Sequence, residues 1–116
     1  MSKRTDRLLI EDMHEAISKI LRYTDGFSKQ DFDNDDRTSD AVIRNFEIIG
    51  EAANHLSEEL KDDFQNVDWF KIRGFRNRIV HQYFGIDYEI VWQLISTYIP
   101  ELEKEIQKVR QEKKWT

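Results

Sequence analysis

The chain has 116 residues, with four Gly, one Pro and no Cys. That length suits one domain with a core of its own, and the missing Cys excludes disulfides, thiolate metal sites and a Cys nucleophile. Charged residues make up 35 % of the chain, against roughly 25 % for an average domain, and few Gly and Pro beside many Glu, Lys, Arg and Ile favour helices over strands. No apolar run approaches the roughly 20 residues of a membrane span. Acidic residues interrupt the apolar stretch after the basic N-terminus, so the chain reads as the mature sequence of a cytoplasmic protein.

In chain order, Leu9, Met13, Ala16, Ile17, Ile20 and Leu21 recur at helical spacing and predict an amphipathic helix from about Thr5 to Tyr23, stopped by Gly26. From Asp25 to Asp40 six Asp stand against Lys29 and Arg37, with no surviving period, which predicts a loop. An EF-hand does not fit it: the turn Gly and the Glu that closes the calcium loop are both missing. A second helix, capped by Ser39 and running to about Glu59, carries Val42, Ile43, Phe46, Ile49, Ala53, Leu56 and Leu60 on one stripe. Gly50 and Ala53 share that face and invite close approach of a neighbouring backbone. After an irregular link, Asp68 caps a third helix, Trp69 to Phe84; Gly85 ends it and Asp87 caps the fourth. The apolar phase then continues through Pro100, predicting a kinked helix or two nearly coaxial ones, and the tail from Lys108 is expected to fray. The fold class is therefore all-α, an antiparallel bundle of four to five helices over residues 1–116 as a single domain.

Net charge is −5, but Trp69 to Phe84 contains four cations and no acid, which leaves −9 on the remainder. A compact basic stretch in an acidic chain suggests a local anion site rather than a broad nucleic-acid coat. On a wheel of about 100° per residue with Arg76 at zero, Ile72, Phe75, Ile79 and Tyr83 gather on one face, while Arg73, Asn77, Arg78 and His81 gather opposite. Arg76 lies about 140° from His81 on that wheel, so in one straight helix the two do not converge without a kink or a second copy of the helix. Arg with His in a carboxylate-free stretch suits a phosphodiester. Arg clamps phosphate oxygens and stabilises the charge that develops on them, and His titrates near neutral pH and passes the proton. With RNA as substrate its own 2′-OH is the nucleophile, so neither a metal nor a cofactor is called for. By default Tyr83, Trp69, Trp92, Phe75, Phe84 and Tyr88 are packing residues. His14 and His55 are boundary residues, and Glu51 is a solvated charge within reach of the basic segment.

The stretch WFKIRGFRNRIVHQYFGIDYEIVW, from Trp69 to Trp92, resembles the signature of HepT-like proteins of the helical HEPN superfamily. Ala41 to Ala53 resembles the family's second helix, and Tyr98 to Leu102 its C-terminal helix break. The family's Arg-x4-His-x-Tyr motif falls on Arg76, His81 and Tyr83. The resemblance implies the toxin of a type II toxin–antitoxin pair, a metal-independent endoribonuclease acting as a homodimer. Arg76 and His81 would be catalytic, with Asn77 and Arg73 supporting. Tyr83 would accept AMP from a nucleotidyltransferase antitoxin, MntA, whose added charge would compete with substrate phosphate. The alternative is a non-catalytic HEPN subunit that helps a nucleotidyltransferase bind nucleotide or substrate. A purely structural bundle leaves the basic stretch unexplained.

Overall fold

A computed structural model describes residues 4–81 and 85–116, His81 through its backbone. The first helix, α1 (Asp6–Tyr23), begins on a Thr5 cap whose hydroxyl accepts from Leu8 N, and buries Leu9, Ile10, Met13, Ala16, Ile17 and Ile20. It packs along α3 (Asp36–His55), whose stripe of Val42, Ile43, Phe46, Ile49 and Ala53 closes the core from the other side. The stretch from Asp25 to Asp40 is not the expected loop. Ser28 and Asp31 form a capping box around α2 (Lys29–Asp33), which buries Phe32, and Asp35 rather than Ser39 caps α3. A five-residue helix is too short to display a period; the cap specifies it, and Phe32 anchors it by stacking on Trp92 with ring centroids 5.4 Å apart.

Helix α3 ends at His55, earlier than expected, because Leu56 turns extended and Ser57 caps a new helix, α4 (Glu58–Asp63). Asp6 accepts hydrogen bonds from Ser57 N and Oγ, joining that corner to the start of α1. Asp68 caps α5 (Trp69–Arg73) as expected, with Trp69 and Ile72 buried. The close approach foreseen at Gly50 is present: a Cβ there would lie 3.3 Å from Ile72 O and 3.6 Å from Arg73 O.

The third predicted helix does not continue to Phe84. It breaks at Gly74, resumes as α6 (Phe75–Ile79) and stops. Val80 and His81 form a short strand β1, paired antiparallel with β2 (Gly85–Ile86) in the register Val80 with Ile86 and His81 with Gly85. Asp87 N donates to Ile79 O at 2.7 Å and closes the ladder. The positive φ of Gly85, 80°, suits a residue without Cβ.

Helix α7 (Tyr88–Gln93), capped by Asp87, runs into a π-helical segment at Leu94–Tyr98 and then α8 (Ile99–Glu112), with Pro100 in the first turn of α8. Ile99 N reaches back to Leu94 O, so the expected kink takes the form of one wide turn. The tail does not fray. Trp115 N donates to Arg110 O at 2.8 Å and Lys114 N to Gln111 O at 3.1 Å, a Schellman closure with Lys114 left-handed at φ 60°. Trp115 packs against the core. The architecture is an all-α bundle with one short ladder, and among the described residues no helix is long and apolar enough to cross a membrane.

Candidate functional site

Ile72, Phe75 and Ile79 are fully buried, and their burial turns the opposite side of α5 and α6 outward. Arg73, Arg76, Asn77 and Arg78 are all exposed, as the wheel places them apart from Arg76, which the wheel puts at the border of the core face. Arg73, Arg76 and Asn77 line a groove of about 730 Å³ between α3 and the α5–α6 pair. From α3 the groove takes Arg44, Glu47, Glu51 and His55; from the start of the chain, Arg4 and Asp12. The Gly50 contact positions it, because it sets the backbone of α5 directly against α3.

The groove's charges divide into paired and unpaired groups. Arg4 makes a two-pronged pair with Asp12, both distances 2.9 Å. Glu51 does not reach across to the basic segment; it bonds His55 on its own helix, Nε2 to Oε1 2.7 Å. Arg44 and Arg76 make no ion pair with any described residue, and the guanidinium of Arg73 sits 5.4 Å from the centre of the Phe70 ring. Glu47 is the acid left beside these three cations. Unspent guanidinium donors of this kind are suited to an anion.

The break after Ile79 changes the geometry of the motif. Arg76 belongs to a helix and His81 to a strand paired with Gly85, so the angular divergence computed for one continuous helix does not apply. Tyr83, the expected AMP acceptor, lies outside the described residues, as do Phe84 and the side chain of His81. Arg44 and Phe70 were missed from sequence. The signal for Phe70 was present, an aromatic between the inward-facing Trp69 and Ile72 of a basic segment. Arg44 joins the groove only through the packing of α3 on α5.

Phe75 and Trp69 pack as expected: Phe46 and Phe75 meet edge to face at 5.3 Å, and Trp69 donates to Phe64 O at 3.1 Å, whereas Tyr88, also expected to pack, stays exposed with only its edge toward Phe32. His14 lies beside Arg110, whose Nε donates to Glu11 Oε1 at 2.7 Å and ties α8 to α1. Tyr98 packs edge-on against Phe75 under the Lys71 ammonium, 4.0 Å from its ring centre. Its hydroxyl and Glu105 Oε2 are buried with no hydrogen-bond partner among the described residues. Burial, then the Glu105 and Asp68 carboxylates, push the Tyr98 phenol up to about 12. Burial also raises the Glu105 carboxyl, helped by Glu101 and Asp68.

Residues 13–109 match the family model described as "Ribonuclease HepT-like". A protein of Methanocaldococcus jannaschii named "Putative RNase MJ1380" is 35 % identical over 92 % of this chain and 98 % of its own. "Putative RNase TTE0752" of Caldanaerobacter subterraneus is also 35 % identical, over 96 % of this chain and 99 % of its own. "Probable ribonuclease HepT" of Thermococcus cleftensis is 34 % identical over 93 % and 98 %. No solved structure matches significantly. A helical bundle with an arginine-lined groove at its basic segment, matched along this much of its length, belongs to the HepT-like ribonuclease family.

Proposed function

We propose that the chain is a metal-independent endoribonuclease, the toxin of a type II toxin–antitoxin pair. The observation that carries this reading is the end of α6 at Ile79. It leaves Arg76 and Asn77 on the groove with Arg44 and Arg73, three arginines that have no acidic partner among the described residues, and it hands the His81 backbone to a strand. In the reaction the substrate 2′-oxygen attacks the adjacent phosphorus and the 5′-oxygen leaves, giving a 2′,3′-cyclic phosphate. Arg76 stabilises the charge gathering on the phosphoryl oxygens, and His81 transfers the proton. Asn77 and Arg73 position the phosphate.

Neutralisation follows from AMP transfer to Tyr83 by a nucleotidyltransferase of the MntA type. The phenol oxygen bonds to the α-phosphorus of ATP and pyrophosphate leaves. The phosphodiester then sets a negative charge in the motif, where it competes with RNA for the arginines. Membership in the HepT-like ribonuclease family supports the ribonuclease half of the reading.

The deciding experiment incubates purified protein with total RNA in EDTA, alongside His81→Ala. Cleavage that survives EDTA, ends in 2′,3′-cyclic phosphate and disappears in His81→Ala is the expected result. Full activity in His81→Ala, or strict dependence on a divalent metal, overturns the mechanism.

A further inference from the structure

Phe70 is 78 % exposed, far more open than Leu8 or Tyr88, the other large apolar side chains left at the described surface. A lone exposed apolar residue needs no explanation by itself. The company of Phe70 is what sets it apart. Its neighbours Trp69 and Ile72 are buried, so α5 holds the ring away from the core. There it lines the same groove as Arg44, Arg73 and Arg76, with the Arg73 guanidinium against its ring. An open aromatic face beside unpaired guanidinium groups matches the two surfaces of a single-stranded nucleotide, a flat base and a charged phosphate. Glu47 in the groove and the acidic remainder of the chain oppose a long polyanion track, which confines the contact to a short stretch of strand.

We propose that Phe70 is a stacking platform for one base of single-stranded RNA, whose flanking phosphates are held by Arg44, Arg73 and Arg76. This rests on the ribonuclease reading and adds to it: the groove selects unpaired RNA, because a base inside a duplex offers no free face.

Phe70 is exposed, so its variants fold, and thermal melting verifies this. Fluorescence anisotropy is read on the full chain with a single-stranded 2′-O-methyl oligoribonucleotide, which lacks the 2′ nucleophile and survives the titration. Phe70→Leu is expected to weaken binding about 5- to 150-fold, the range of one lost base stack. Phe70→Trp retains affinity, and neither variant changes the salt dependence. Arg44→Ala lowers the slope of log affinity against log salt by about 0.7, one phosphate contact on a single strand.

Wild-type affinity in Phe70→Leu overturns the proposal. So does an equal loss on duplex RNA, or a change of Phe70→Leu from dimer to monomer in light scattering, which makes the residue a contact between copies. Cleavage of total RNA by the wild-type chain, measured in parallel, separates the two readings. Cleavage with unaltered Phe70→Leu binding sinks the stacking role alone, whereas a wild-type chain that neither binds nor cleaves RNA sinks both.

Discussion

Arg76 lies on the basic segment and Tyr98 packs against it through Phe75 and Lys71, and the two answer to different demands. Arg76 is exposed and has no ion-pair partner among the described residues, so its truncation leaves the core untouched. Arg76→Ala is expected to keep the melting temperature of the parent while RNA cleavage falls by about 100-fold or more, the usual loss for one donor aimed at developing charge. Tyr98 and Glu105 instead bury polar oxygens that nothing described satisfies. Tyr98→Phe removes an unpaired hydroxyl and is expected to be neutral or stabilising by up to about 1 kcal/mol in urea unfolding. Glu105 has its carboxyl raised in the folded state, so the native protein holds this proton to higher pH than the unfolded chain does. Its penalty is absent below the ordinary carboxylate range and grows as pH rises through the raised value. Glu105→Gln is therefore expected to raise the urea midpoint at neutral pH, with the gain disappearing near pH 4, about the unfolded value for Glu. A gain independent of pH would contradict that cause.

At the scale of elements, contacts between helices decide where the chain bends. Gly50 admits the end of α5 at 3.3 Å from its Cβ position, and the atom it meets is backbone, which gives way poorly. Helix propensity favours Gly50→Ala by about 1 kcal/mol. We expect the clash to win and the variant to lose about 1–2 kcal/mol, with Gly50→Val worse. Lys114 closes α8 in a left-handed conformation without being glycine. Lys114→Gly is expected to gain about 0.5–1 kcal/mol in thermal unfolding by removing that strain. Helix α2 and the Schellman closure both lay below what periodicity reads. Five residues around Phe32 hold too few turns to show a stripe, and the tail is ordered by Trp115 returning to the core.

The whole molecule is acidic yet gathers unpaired arginines in one groove. Unpaired positive charge in a concave site accelerates encounter with a polyanion, and the effect fades with salt. Cleavage under subsaturating RNA is therefore expected to fall steeply with added salt, whereas Arg44→Ala flattens that fall. Light scattering at micromolar concentration is expected to show two copies; a monomer throughout that range contradicts a homodimer. Incubation with a nucleotidyltransferase partner and ATP is expected to add AMP-sized mass to Tyr83. Tyr83→Phe should then fold, cleave RNA and escape silencing.

What the amino-acid sequence determined alone was whatever repeats or caps within a few residues. The stripes of α1 and α3, the caps at Asp68 and Asp87, the outward side of Arg73 and Asn77 and the small-residue contact at Gly50 are all local patterns that burial enforces. The motif itself, Arg76 with His81 and Tyr83, was legible only as residue types at a spacing, and its likeness to a known family gave that spacing meaning. Tertiary structure decided the ending of α6 at Ile79, because the chain there exchanges its helical bonds for pairing with Gly85 and Ile86. It also decided that Arg44 and Phe70 share a groove with Arg73 and Arg76. Arg44 comes from another helix altogether. No local pattern encodes such a meeting; it follows from α3 and α5 packing backbone to backbone at Gly50.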